Sequence, residues 1–236
     1  MLELHQFRHS AFCEKVHLIL AAKGLAYGVV EVTPGLGQLQ LLRLSGQRQV
    51  PVLVDGEEVI ADSTAIALHL EALVPQPALL PAEAALRAQV QLLEDWADTT
   101  LASGCRLALI QAAAADPVLR TALLPEAAPE GLRSLVGALP GGLLAGLGQV
   151  VDQEALKALH ASLEQLTQLV QSQPYLVGAG LSLADLAVAA QLSLLKFPAS
   201  AGAPLAGRGV PGLADDPQLQ PLFAWRDRLC QEVGRG

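Results

Sequence analysis

The first residues alternate. In "LELHQF", apolar Leu2 and Leu4 take turns with polar neighbours, the period-two pattern of a strand with one buried face. From Phe12 the period changes: Phe12, Val16, Ile19 and Leu20 fall at i, i+4, i+7 and i+8, one stripe of an amphipathic helix, with Gly24 suited to its C-terminal cap. "YGVVEV" predicts a second strand, and "GLGQLQLLRLSGQRQ" a polar, glycine-punctuated connection with a single helical turn. "VPVLVDGEEVIAD" holds two β-rich runs joined by Asp55-Gly56, a dipeptide favoured in type I′ hairpin turns, where both central residues need positive φ. "DSTAIALHLEAL" then begins with Asp62 and Ser63 as capping candidates and continues with Ile66, Leu70 and Leu73 at helical spacing. The predicted order is β-α-β-α-β-β-α. Its closing hairpin makes the last pair antiparallel, so the four-stranded sheet is mixed.

Three prolines, Pro75, Pro77 and Pro81, interrupt the helical pattern and mark a boundary. It divides the chain into an α/β domain, residues 1–75, and an all-helical domain, residues 82–236. Helices are expected at 84–115, 152–171, 182–196 and 217–233, with a weaker region up to 150. The glycine- and proline-rich segment 125–150 reads as a loose helical excursion or a flap, and its role is left open. No repeat of 20 to 50 residues is visible.

Composition narrows the classes. Hydrophobic residues make up 52% of the 236 and charged residues 16%, enough apolar surface for a sizeable core, and the abundance of alanine and leucine favours helix. A net charge of -8 without a basic run argues against nucleic acid as a partner. No apolar run approaches the roughly 18 residues that span a bilayer, and "MLELHQF" does not resemble a secretory signal, so a cytoplasmic protein without a membrane partner is expected. Cys13, Cys105 and Cys230 are odd in number and far apart, which argues against a disulfide framework. The five histidines have no ligand spacing, and no metal is expected.

Val50-Pro51 opens a strand, where a trans proline would waste a ladder position; a cis bond would instead turn the backbone of Val50 outward. Together, "HSAFCEKV", "RQVPVLVDG", "ADSTAI" and "YLVGAGLSLADLAVA" resemble the motifs of cytosolic glutathione S-transferases, a thioredoxin-like domain followed by a helical one. Val50 and Ser63 lie 13 positions apart, which is similar to that family's spacing between its cis-proline and its γ-glutamyl-binding acid-serine pair. The resemblance implies glutathione as co-substrate, a homodimer, and a small electrophile as second substrate. It also implies an extended glutathione whose cysteinyl backbone pairs with Val50 beside Pro51. Gln49 would add a polar contact, Asp62 would take the γ-glutamyl amine, and Ser63 with the helix-start amides would take the carboxylate.

In the family, the residue that stabilises the glutathione thiolate precedes the first helix. Ser10 occupies that place, as in theta-like and zeta-like classes; omega-like classes have cysteine there. Neither tyrosine, Tyr27 or Tyr175, is correctly positioned. A serine hydroxyl can donate a hydrogen bond to a sulfur anion, with help from the helix N-terminus. His9, Phe12, Trp96 and Arg106 are candidates for the acceptor pocket. "SAFC" resembles a glutaredoxin-like dithiol motif whose leading cysteine is serine, so Cys13 is expected to pack, with a redox role as the rival. "LSLADLAVA" places Ser182 and Asp185 as a structural capping box. The expected activity is conjugation of an apolar electrophile in detoxification. The alternatives are a noncatalytic binding module of the same fold and a thiol reductase acting through Cys13.

Overall fold

The computed structural model describes residues 1–33, 36–124, 128, 130–139 and 153–235. Its first half runs β1 (Leu2–Gln6), α1 (Ala11–Ala22), β2 (Tyr27–Glu31), α2 (Leu36–Ser45), β3 (Val52–Asp55), β4 (Glu58–Ala61) and α3 (Ser63–Leu73). The sheet order is β2-β1-β3-β4, with β1 parallel to β2 and antiparallel to β3, and β3 antiparallel to β4. This is a thioredoxin-like domain with a mixed four-stranded sheet, and a helical domain follows it.

Two local expectations are corrected. The connection after β2 holds a ten-residue helix, α2, rather than one turn. Its apolar pattern was faint because it packs chiefly through Leu41, which joins Val32 and Val52 in a small satellite core, while Leu39 and Leu44 face solvent. In the hairpin, Asp55 pairs with Glu58, so the loop is Gly56-Glu57. Only Gly56 has positive φ, at 62°, the pattern of a II′ turn with glycine in the first central position.

The second half contains α4 (Ala84–Trp96), a π-helical turn (Ala97–Leu101), α5 (Ala102–Ala115), α6 (Pro117–Ala122), α7 (Glu130–Ala138), α8 (Gln153–Ser172), α9 (Leu183–Leu192) and α10 (Gln220–Glu232). The expected single helix over 84–115 is thus one path widened in its middle. Of segment 125–150, residues 130–138 form α7, while 125–127, 129 and 140–150 lie outside the described residues. The helix expected to reach Lys196 stops at Leu192. The chain beyond it turns into extended backbone, where Phe197 donates to Arg208 O at 2.7 Å and Val210 donates to Leu195 O at 2.7 Å. Gly209 permits that approach, since a Cβ there would lie 2.2 Å from Leu195 O.

All ten residues of α9 are buried, which fits "LADLAVAAQL", apolar on nearly every face. This helix packs between α1 and α4 and carries the core from one domain into the other. Its start is the expected capping box. Asp185, with no exposed surface, accepts from Ser182 N at 2.8 Å and Ser182 Oγ at 2.6 Å, and its other oxygen accepts from Leu176 N at 2.7 Å. Asp185→Ala strands two buried amides, and the expected loss is about 3 kcal/mol in urea denaturation, since bonds to a charged acceptor contribute roughly 1.5–3 kcal/mol each. A loss below about 1 kcal/mol would show that the box is dispensable.

Candidate functional site

Between β1 and α1 the chain makes a tight turn in which Ser10 N donates to Phe7 O at 2.9 Å. Ser10 itself is extended and caps α1: its Oγ accepts from Cys13 N at 3.4 Å. The cap uses a lone pair of the hydroxyl, and the Cys13 thiol also lies within hydrogen-bonding reach of it.

Ser10 opens onto a cavity of about 490 Å³. Its polar lining is Gln38, Arg48 and Gln49, and its apolar lining is Phe7, Phe12, Val32 and Val50. The Val50-Pro51 bond is cis, as the sequence predicts. Arg106, from α5, also lines the cavity and stands over the Phe12 ring at 6.0 Å from its centroid. The structure therefore gathers Ser10, Phe12, Gln49, Val50 and Arg106 around one space.

Asp62 and Ser63 do not line that cavity; they stand at the head of α3. Asp62 is the one described non-glycine residue with positive φ, at 85°, and its Oδ1 accepts from Thr64 N at 2.9 Å and Ala65 N at 3.1 Å. The other carboxylate oxygen makes neither bond. Ser63 is 2% exposed, which turns its hydroxyl inward.

What Ser63 meets there was not foreseen. Lys15, from α1, is wholly buried and donates to Glu94, to Asp98 Oδ2 at 2.6 Å, to Thr64 Oγ1 at 3.2 Å and to Ser63 Oγ at 3.4 Å. Burial pushes the Asp98 carboxyl above the ordinary carboxylate range, against the opposing pull of Lys15. A signal did exist in the sequence: Lys15 shares a helix face with Leu18 and Ile19, both fully buried, so a lysine there needs buried partners.

The remaining candidates separate. His9 lines two other cavities, one of about 530 Å³ beside α6 and α7 and one of about 260 Å³ behind Ser10. Burial, helped by the Arg8 charge, pushes it down to about 4. Trp96 lines a fourth cavity, of about 840 Å³, between the π turn, α5 and α8; Arg106 reaches that one too. Cys13 has no exposed surface, and burial pushes its thiol up to about 12, so it is not a thiolate at neutral pH.

The cavity behind Ser10 is closed by a hydrogen-bonded chain. His17 meets Tyr27 Oη at 2.5 Å through Nδ1 and Gln6 Oε1 through Nε2, and Gln6 Nε2 donates to Glu31 at 3.1 Å. A neutral imidazole satisfies this arrangement, accepting at one nitrogen and donating at the other. Burial, and secondarily Arg235, pushes His17 down to about 4. Arg235 reaches the same wall, donating to Glu14 at 2.9 and 3.0 Å.

Comparisons with known proteins bear on the fold that carries this site. Residues 4–78 match the family model described as "Glutathione S-transferase, N-terminal domain", and residues 148–228 match "Glutathione S-transferase, C-terminal domain". The chain belongs to the glutathione S-transferase family. It is 29% identical over 237 residues to mouse glutathione S-transferase theta-3, covering 99% of this chain and 83% of the mouse protein. A zeta-class glutathione S-transferase of Euphorbia esula is 38% identical over 85 residues, with 35% of this chain and 38% of that protein covered. A stringent starvation protein A homolog of Pasteurella multocida is 30% identical over 101 residues, covering 41% of this chain and 48% of that protein. Among solved structures, a glutathione S-transferase from Rhodospirillum rubrum F11 superposes with a TM-score of 0.67 at 25% identity, covering 98% of this chain and 88% of the other.

The two depressed histidines make stability depend on pH. Their folded values, about 4, lie below the ordinary 6.5, so the unfolded chain binds more protons between those values and stability falls as pH falls through that window. Urea midpoints measured from pH 7 to pH 4 should decline, and His17→Gln should decline less steeply. Equal slopes would remove His17 from this account.

Proposed function

We propose that this family member is an active glutathione transferase of the serine type. Residues 1–75 would form its glutathione-binding domain and residues 82–236 the helical domain that completes the acceptor site. The observation that carries the reading is the position of Ser10: a helix-capping hydroxyl on the wall of the cavity that also holds Gln49 and Val50. Glutathione lies extended with its cysteinyl backbone along Val50 and its sulfur beside Ser10. The hydroxyl and the α1 N-terminus favour the anion. Lowering a thiol pKa by about two units from 8.5 takes about 2.7 kcal/mol, within reach of one charge-assisted bond and a helix end.

Arg48, Gln38 and Gln49 provide donors for a carboxylate of the tripeptide. The γ-glutamyl amine goes to the Asp62 oxygen that the cap leaves over. The inward-turned hydroxyl of Ser63 shifts the carboxylate contact to the backbone amide of Ser63, which the Asp62 cap does not use. The thiolate attacks an apolar electrophile beside Phe7 and Phe12, and catalysis consists mostly of nucleophile activation and proximity. Exposed Leu68 and Leu73 of α3 and Leu92 of α4 are consistent with a homodimer. A cytoplasmic setting and a detoxifying role accord with this chemistry. The buried thiol of Cys13 gives no support to the reductase reading.

Ser10→Ala should raise the thiol pKa of bound glutathione, read by ultraviolet titration, by at least one unit and lower kcat/KM about 100-fold, the usual cost of one anion-stabilising donor. An unchanged thiol pKa would remove Ser10 from the mechanism, and failure of the wild type to bind glutathione would leave a scaffold without this activity. For Asp62→Gly, relief of positive-φ strain offsets the lost cap and the added chain entropy, so stability should stay within about 1 kcal/mol of wild type. Retention on immobilised glutathione should nevertheless be lost, and full retention would show that Asp62 is a cap alone.

A further inference from the structure

Lys15 has no part in the chemistry above, yet it is among the largest fully buried side chains of the protein. It lies five positions beyond Ser10, and its ammonium reaches under the first turn of α3. There each hydroxyl is held from both sides. Ser63 Oγ accepts from Lys15 at 3.4 Å and donates to Asp98 Oδ2 at 3.3 Å; Thr64 Oγ1 accepts from Lys15 at 3.2 Å and donates to Glu94 Oε1 at 2.5 Å. Glu94 and Asp98 belong to α4 and the π turn, so the cluster joins both domains at the head of α3.

Stability alone does not explain such a cluster. One ammonium meets two carboxylates, Asp98 Oδ1 is buried without a hydrogen-bond partner, and well-packed apolar groups often serve a core as well as a buried ion pair does. What charge supplies here and apolar packing would not is direction: hydrogen bonds that fix the rotation and height of the α3 N-terminus relative to α1. Those two helix starts carry opposite ends of the proposed site, the sulfur end at Ser10 and the γ-glutamyl end at Asp62.

We propose that Lys15 is a positioning residue that sets the distance between the thiolate and γ-glutamyl ends of the glutathione site, and so makes the protein select the tripeptide over shorter thiols. The proposal rests on the glutathione reading given above. It does not require Lys15 to touch the ligand.

The test compares Kd for glutathione and for the dipeptide cysteinylglycine, which lacks the γ-glutamyl group, by calorimetry on the full chain. Lys15→Met should weaken glutathione about tenfold and leave the dipeptide within twofold. Because that variant leaves two carboxylates facing each other and can fail to fold, the charge-balanced variant Lys15→Met/Glu94→Gln/Asp98→Asn is measured beside it. It should fold and show the same collapse of the glutathione-to-dipeptide ratio. If a folded variant keeps the wild-type ratio, or weakens both ligands equally, Lys15 is structural only and the proposal fails while the glutathione site stands. If the wild type binds no glutathione, the reading of the site fails and takes this proposal with it.

Discussion

An ammonium with no exposed surface must be matched by negative charge, and in this protein the requirement decides how three helices meet. Lys15 enters from α1, its carboxylates from α4 and the π turn, and the hydroxyls it shares from α3. Removing one partner of such a cluster would cost about 3–5 kcal/mol, because a charge would be left uncompensated out of water. The sheet-bearing domain therefore cannot rotate freely against the helical one. α9, buried along its whole length between α1 and α4, adds non-directional packing to that directional anchor.

The first turn of α1 shows how little machinery the fold needs. One hydroxyl ends the β1–α1 turn as a cap and faces a cavity with Gln49 and Val50. Behind it, the chain from Glu31 through Gln6 and His17 to Tyr27 holds the other flank of α1 against β1 and β2. The exposed side of Ser10 is left for a ligand because its protein-facing side is already satisfied.

Local signals were legible in the sequence and distant ones were not. The capping box joins Ser182 and Asp185, three positions apart, and the strand–helix joint at Ser10 is announced by a change of period. The bend at Pro51 was inferred from its surroundings. By contrast, Glu94 and Asp98 lie 79 and 83 residues from Lys15, beyond any periodicity. α2 was under-read because a helix packed chiefly through one leucine leaves almost no stripe. Trp96 and Arg106 both line the cavity between the π turn, α5 and α8, and of the two only Arg106 also reaches the cavity at Ser10, a division that helical periodicity does not announce.

That turn, Ala97–Leu101, has an evolutionary reading. A π turn is an α-helical path with one residue too many. Deleting a single position there would restore an ordinary helix and leave the residues after it close to their present phase, because the wider turn already absorbs the extra residue. Arg106 would then stay over the face of Phe12. A one-codon loss elsewhere along α4 or α5 would turn a whole wall of the cleft by about 100°, whereas at this spot the helix has a residue to spare.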